Sequence, residues 1–416
     1  MVIRKIICAH SVCSSKCYIF CMGLRIAVKS ATLAMLLAAA ALGCSSYGGN
    51  SGSEQAGGGS SAAGSAGTAL SAGGSGGAVA SAGSAAGGTL NMAGGPAAAG
   101  AAGLGVAGAA SAGAGGGGSR PSLRTVGYLP SYRGMLSQWA TSLDFSLVSY
   151  VNVCFGAVDA SGNVSYPDAG LPAFAAAAHA HGAKVCMALG GADTINNFAV
   201  IGAQITAANR KPFVQKITDY AVSTGLDCID VDFEGNGVNA DYEGFVTELG
   251  ASLHAKNLEL TAAMASWFGD KITSNAIHAF DFVNVMAYDL HNPGGNAAPV
   301  QSSSMADSTA ELQYFIGRGL SKDKAVFGVP FYGYRWKAGD AVGTAVVYAE
   351  LLSTYGAAAA NDMIVQGDTT IYLNSKATIV AKTQLAKQYG GIMSWELGQD
   401  AAGGASLLRA IHDAQL

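Results

Sequence analysis

Eight short apolar runs, rich in β-branched residues and separated by stretches of helical character, limit most strongly what this chain can fold into. They lie at Thr125–Tyr128, Leu147–Phe155, Lys184–Leu189, Leu226–Phe233, Leu258–Met264, Phe282–Met286, Ala325–Val329 and Gly391–Trp395. Helix-like segments fall between most of them, at Ala173–His181, Pro212–Ser223, Tyr242–Lys256 and Ser308–Arg318. Alternating strands and helices call for a parallel sheet with the helices packed outside it. Eight such units predict a closed (β/α)8 TIM barrel over residues 120–416, and roughly 300 residues suffice for one domain with a real core. An open doubly wound sheet is the runner-up. It needs fewer strands and usually a Gly-rich first turn, whereas the first run here leads into Gly127-Tyr128-Leu129-Pro130.

In such barrels chemistry gathers at the carboxyl ends of the strands. The fourth run reads LDCIDVDFEGN at 226–236 and carries Asp227, Asp230, Asp232 and Glu234. Side chains alternate along a strand, so Asp230, Asp232 and Glu234 share one face, while Ile229, Val231 and Phe233 share the other. Crowding like charges at a buried strand end raises the pKa of one member until it can hold a proton, the condition for a general acid. A solvated acidic strand is the plain alternative, and the flanking apolar residues oppose it. A divalent-cation site is another; three oxygens on one strand leave most of a coordination sphere unfilled. Asp227, on the opposite parity at the start of the run, is expected to be structural. No metal and no cofactor are expected.

The spacing Asp-x-x-Asp-x-Asp-x-Glu resembles the signature of family 18 glycoside hydrolases, the chitinases and endo-β-N-acetylglucosaminidases. Two further segments carry the resemblance: Met286-x-Tyr288-Asp289 after the sixth run, and Gly390-Gly391-Ile392-Met393-Ser394-Trp395-Glu396 at the eighth. Gly328-Val329-Pro330-Phe331-Tyr332-Gly333 is similar to the family's seventh strand, with Tyr334 and then Arg335 where the family often has Arg. The third run departs from the family's Ser-x-Gly-Gly, reading Ala188-Leu189-Gly190-Gly191 and so lacking a hydroxyl for Asp230. The 55 or so residues from Lys337 to the eighth run are expected to be too few for the α+β insertion that walls many processive chitinases.

This resemblance implies a retaining mechanism in which the substrate's own 2-acetamido oxygen replaces an enzyme nucleophile. Glu234 is then the acid and base, Asp232 holds the acetamide and its developing positive charge, Asp230 modulates Asp232, and Tyr288 aligns the acetamide. Trp395 floors the reactive subsite. Tyr128, Phe155, Met286, Asp289, Tyr332, Gly190 and Gly191 are the remaining candidates for the substrate site, with cleft lining and barrel packing left open for Tyr128, Phe155 and Tyr332. Trp267 and Trp336 read as packing residues. The implied substrate is chitin or chitooligosaccharide, with the chitobiose core of N-glycans or mere sugar binding as alternatives.

The 23 basic and 27 acidic residues give a net charge of −4, which offers no footprint for a nucleic-acid partner. A monomer is expected. Residues 45–119 are almost wholly Gly, Ala and Ser, with one aromatic at Tyr47; such a linker of about 75 residues spans roughly 50 Å. Before it, residues 1–44 end in a short basic region with Arg25 and Lys29, an apolar run from Ala31 to Leu42, and Gly43-Cys44. That order resembles a bacterial lipoprotein signal, starting at Met22 and lipidated on Cys44, and implies a cell-envelope protein held by its lipid, surface-exposed or periplasmic; an ordinary secretory signal is the alternative. In the barrel segment, Cys154, Cys186 and Cys228 lack paired spacing and read as small buried hydrophobes rather than a disulfide framework.

Overall fold

The computed structural model describes residues 123–192 and 198–416. The signal, the Cys44 site and the Gly/Ala/Ser segment lie outside the described residues. Eight parallel strands form the barrel: β1 Arg124–Pro130, β2 Tyr150–Val158, β3 Lys184–Gly191, β4 Cys228–Phe233, β5 Glu259–Met264, β6 Phe282–Val285, β7 Ala325–Pro330 and β8 Gly391–Trp395. Each pairs with its chain neighbours, and β1 pairs with both β2 and β8, which closes the sheet. All eight predicted runs are strands. The helices follow equally simple rules. Arg210–Thr224 stops at Gly225, whose φ of 72° suits a residue without Cβ, and Met305–Gly317 starts at Ser304, whose side chain accepts from Asp307 N. Tyr242–His254 buries Phe245, Val246, Leu249 and Leu253 along one stripe against the sheet.

The register of β3 on β4 fixes the centre of the barrel. Cys186 faces Cys228, Ala188 faces Asp230 and Gly190 faces Asp232. Cys186 and Cys228, with Cα atoms 4.4 Å apart, form a disulfide, which corrects the reading of both as free buried thiols. Their 42-residue separation hid the pairing, because facing positions on adjacent strands are set by register and leave no spacing motif. Cys154 is free and buried, as expected.

A second correction concerns the connection from β7 to β8. It folds as a small α+β unit: antiparallel strands Tyr332–Lys337, Thr344–Val347, Met363–Gln366 and Thr369–Tyr372 with the helix Tyr348–Tyr355. Hairpins use little chain. Gln366 pairs with Thr369 across only Gly367 and Asp368, with Gly367 at φ 60°, so 55 residues are enough for a reduced version of the insertion.

Candidate active site

The alternation along β4 is as the sequence required. Ile229, Val231 and Phe233 face the helices, Phe233 stacking on Phe245 with ring centroids 5.7 Å apart, and Asp230 and Asp232 face the barrel interior. Asp230 is fully buried. It accepts hydrogen bonds from the Tyr128 hydroxyl (2.6 Å), the Thr261 hydroxyl (2.5 Å) and Asn284 Nδ2 (3.3 Å). Burial raises its pKa and these donors pull it back. Although the facing position is Ala188, two hydroxyls from β1 and β5 already serve Asp230, so the missing serine does not leave it without donors. Thr261 and Asn284 were missed in the sequence. Their signal was a polar residue at inward parity in an otherwise apolar run.

Asp232 is 2% exposed, and its Oδ1 has no hydrogen-bond partner among the described residues. Burial foremost, then the charges of Glu234 and Asp230, hold its pKa well above the usual carboxylate range. Glu234 follows β4 directly, half-buried, at the start of the tight turn Gly235–Gly237. Tyr288, also nearly buried, lies within the field of these acids: burial, then Asp232, Asp289 and Glu234, raises its pKa well above that of a free phenol. Its hydroxyl is 4.0 Å from Met393 Sδ. Met286 precedes it at the end of β6, 8% exposed.

Asp289 has φ 57°, the left-handed region that few residues other than Gly, Asn and Asp tolerate. Its Oδ1 accepts from Tyr332 (2.6 Å) and Tyr334 (3.0 Å). Tyr332 therefore braces an acid of the cleft from the small sheet. Tyr334 shares that task, and Arg335, next along the strand, projects to the other face. Trp395 lies between Tyr128 and Phe155, at centroid distances of 5.4 and 6.3 Å. Tyr128 is an interior hydrogen-bond donor, and Phe155 a wall for the tryptophan. Glu396, buried beside Trp395, is held by Arg133 Nε at 2.6 Å and Gly398 N at 2.7 Å.

Gly190 and Gly191 act through the space they leave. At Gly190, φ 114°, a Cβ would fall on the Asp232 carbonyl; at Gly191 it would strike the Phe155 ring. Asp227, just before β4 and on the other parity, accepts from Val185 N (2.7 Å) and meets His179 Nε2 (2.7 Å). Trp336 is 2% exposed inside the small sheet, whereas Trp267, read as packing, is 66% exposed. It stands at the mouth of a cleft of about 900 Å³ lined also by Tyr288, Asp289, His291 and Glu311.

The barrel thus carries inward-facing acids at the end of its fourth strand, with Tyr128 of β1 donating to Asp230 and Tyr288, after β6, in the field of Asp230, Asp232 and Glu234. Residues 124–400 match the profile of Glycosyl hydrolases family 18, and the chain belongs to that family of hydrolases. Among curated proteins it is similar to a class V chitinase of Arabidopsis thaliana, 24% identical over 319 residues, covering 64% of this chain and 84% of that protein. Among solved structures it resembles the chitinase ChiB from the chitin utilization locus of Flavobacterium johnsoniae, with 31% identity, TM-score 0.64 and coverage of 71% and 94%. The fold is shared with a chitinase-like agglutinin of Robinia pseudoacacia, at 20% identity, TM-score 0.60 and coverage of 70% and 99%.

Proposed function

We propose that the chain is a chitinase that hydrolyses β-1,4-N-acetylglucosaminide bonds in chitin or chitooligosaccharides, with retention and with assistance from the substrate's acetamide. One observation carries this reading: Asp232 is buried, biased toward holding a proton, and its Oδ1 has no hydrogen-bond partner among the described residues, beside Glu234. A buried acceptor of that kind suits the acetamide N–H of a bound sugar, whose pairing would relieve the cost of leaving it unsatisfied. Glu234 delivers the proton to the glycosidic oxygen as the acetamido oxygen closes on the anomeric carbon. Asp232 then faces the positive charge of the cyclic oxazolinium, and Glu234 takes a proton from the water that opens it. Tyr288 supplies a hydroxyl on the same side to orient the acetamide.

The agglutinin neighbour keeps sugar binding without turnover as a second reading, and N-glycan cleavage a third. Product analysis on chitohexaose beside a high-mannose glycopeptide separates them. The expected result is β-anomeric product from chitohexaose, lost in Glu234→Gln while that variant still binds the oligomer. Cleavage of the glycopeptide alone would replace this reading. For localisation, the proposal is export and anchoring through Cys44, and the Cys186–Cys228 disulfide supports an oxidising compartment.

A further inference from the structure

Behind the Met286-Ala287-Tyr288-Asp289 segment, on the outer side of the barrel, lies a fully buried lysine that the chemistry above does not use. Lys382, on the helix Lys376–Ala386, points its Nζ at the carbonyl oxygen of Ser303 (2.7 Å), the hydroxyl of Ser303 (2.7 Å) and the hydroxyl of Ser308 (2.9 Å). Both hydroxyls donate to a single acceptor, the Ala287 carbonyl, at 2.7 and 3.0 Å. That carbonyl belongs to the peptide bond that leads into Tyr288.

The arrangement around Nζ suits a charged lysine. When both hydroxyls donate to Ala287 their oxygens accept from the lysine, as the Ser303 carbonyl does; the two hydroxyl oxygens are also 3.2 Å apart, so one can instead donate to the other, and the Ser303 carbonyl takes a second donor from Asn374 Nδ2 at 2.9 Å. Three acceptors match the three donors of an ammonium, whereas a neutral amine has two, and serving the third oxygen then means turning one serine hydroxyl from Ala287 to its neighbour. Asp307, on the helix Met305–Gly317, and Asp362, just before the strand Met363–Gln366, favour the charge, and the Phe327 ring of β7 lies 5.6 Å from Nζ. Burial opposes the charge more strongly and brings the pKa down to about 7. His291 Nε2 lies 3.2 Å from Asp307, so a second titratable group touches the same helix.

We propose that Lys382, acting through Ser303 and Ser308, is a positioning residue for Tyr288 and Asp289, and that loss of its proton loosens this end of β6 and lowers turnover on the alkaline side. The inference rests on the chitinase reading only for the kinetic consequence. The coupling of Lys382 to Tyr288 is a property of the fold.

Two measurements test it. In the first, the whole protein is labelled with 13C at lysine Cε and tyrosine Cζ and followed by NMR from pH 5.5 to 9. Lys382 should titrate near neutrality, and the Tyr288 signal should shift with the same midpoint, also in a His291→Gln background. In Ser308→Ala the Tyr288 shift should shrink while Lys382 still titrates. A Lys382 charged throughout the range, or a Tyr288 signal indifferent to it, overturns the proposal whatever the substrate. In the second, kcat and KM on chitotetraose are measured across the same range. Ser308→Ala and Lys382→Met should lose about tenfold or more in kcat, with KM within about threefold, and Lys382→Met should lack the alkaline decline near pH 7. A decline unchanged in Lys382→Met refutes the kinetic role. Absence of wild-type turnover on every chitooligosaccharide strikes the functional reading and leaves the NMR result to decide the coupling. Should Lys382→Met fail to fold, Ser308→Ala carries both arms.

Discussion

Replacing Asp232 by Asn should stabilise the protein while disabling it. Asp232 is 2% exposed, has an oxygen without a partner among the described residues and is flanked by Asp230 and Glu234. Because its folded pKa is raised, the native state binds the proton more tightly than the unfolded chain does. That contribution is fully present below the unfolded value of about 4 and is lost as pH rises through the folded value. Asn cannot ionise, so its advantage over the wild type opens across that same window. Removing the desolvation penalty of one buried, incompletely paired charge is worth about 1–3 kcal/mol, and a domain of this size moves by roughly 2–4 °C per kcal/mol. Thermal unfolding at pH 8 should therefore show Tm raised by roughly 2–12 °C, with little difference at pH 4. Turnover should drop by about 10²–10³, the usual loss on removing one preorganised charge-stabilising group. A variant no more stable than the wild type at pH 8, or one whose gain is equal at both pH values, refutes the electrostatic account of this residue.

Gly190→Ala should cost about 2–5 kcal/mol in urea unfolding, combining overpacking against the Asp232 backbone with a left-handed φ, and wild-type stability would contradict the close approach of β3 to β4. The double variant Cys186→Ala/Cys228→Ala closes no loop over the 42-residue separation and should lose about 4 kcal/mol in guanidinium unfolding; a loss under about 1 kcal/mol would mean that the bridge constrains little. Mass spectrometry of the protein isolated from membranes should find its amino terminus at an acylated Cys44, and an unmodified terminus elsewhere would remove the anchor from the proposal.

What could be read in the sequence follows the range of the interactions involved. The barrel strands were legible because each is a contiguous apolar run, and the acids of β4 because alternation along one strand needs no knowledge of its neighbours. Features that depend on how two strands align were hidden: the Cys186–Cys228 bridge, and the donation from Tyr128 and Thr261 to Asp230, which the absence of a serine at Ala188 seemed to leave unprovided. The role of Tyr334 likewise depends on a contact between separate segments. The hydroxyl of Tyr334 reaches Asp289, and Arg335 sits on the other side of its strand. The β7–β8 insertion was judged by length, although the alternation Tyr332, Tyr334, Trp336 and the Gly367-Asp368 turn already marked strands and a hairpin.

The four tryptophans make the protein its own optical probe. Trp336 is sealed in the small sheet, Trp139 is partly buried with its indole N–H on Arg133 O, Trp395 is half-buried between Tyr128 and Phe155, and Trp267 is 66% open to solvent. A soluble quencher such as acrylamide should therefore extinguish Trp267 first and Trp336 last. A sugar settling along the cleft shields Trp267 and Trp395 while leaving the other two as an internal reference. In Trp267→Phe the ligand-dependent part of the emission should come from Trp395 alone, so occupancy at the end of β8 can be followed separately from occupancy at the mouth, without a label and without turnover.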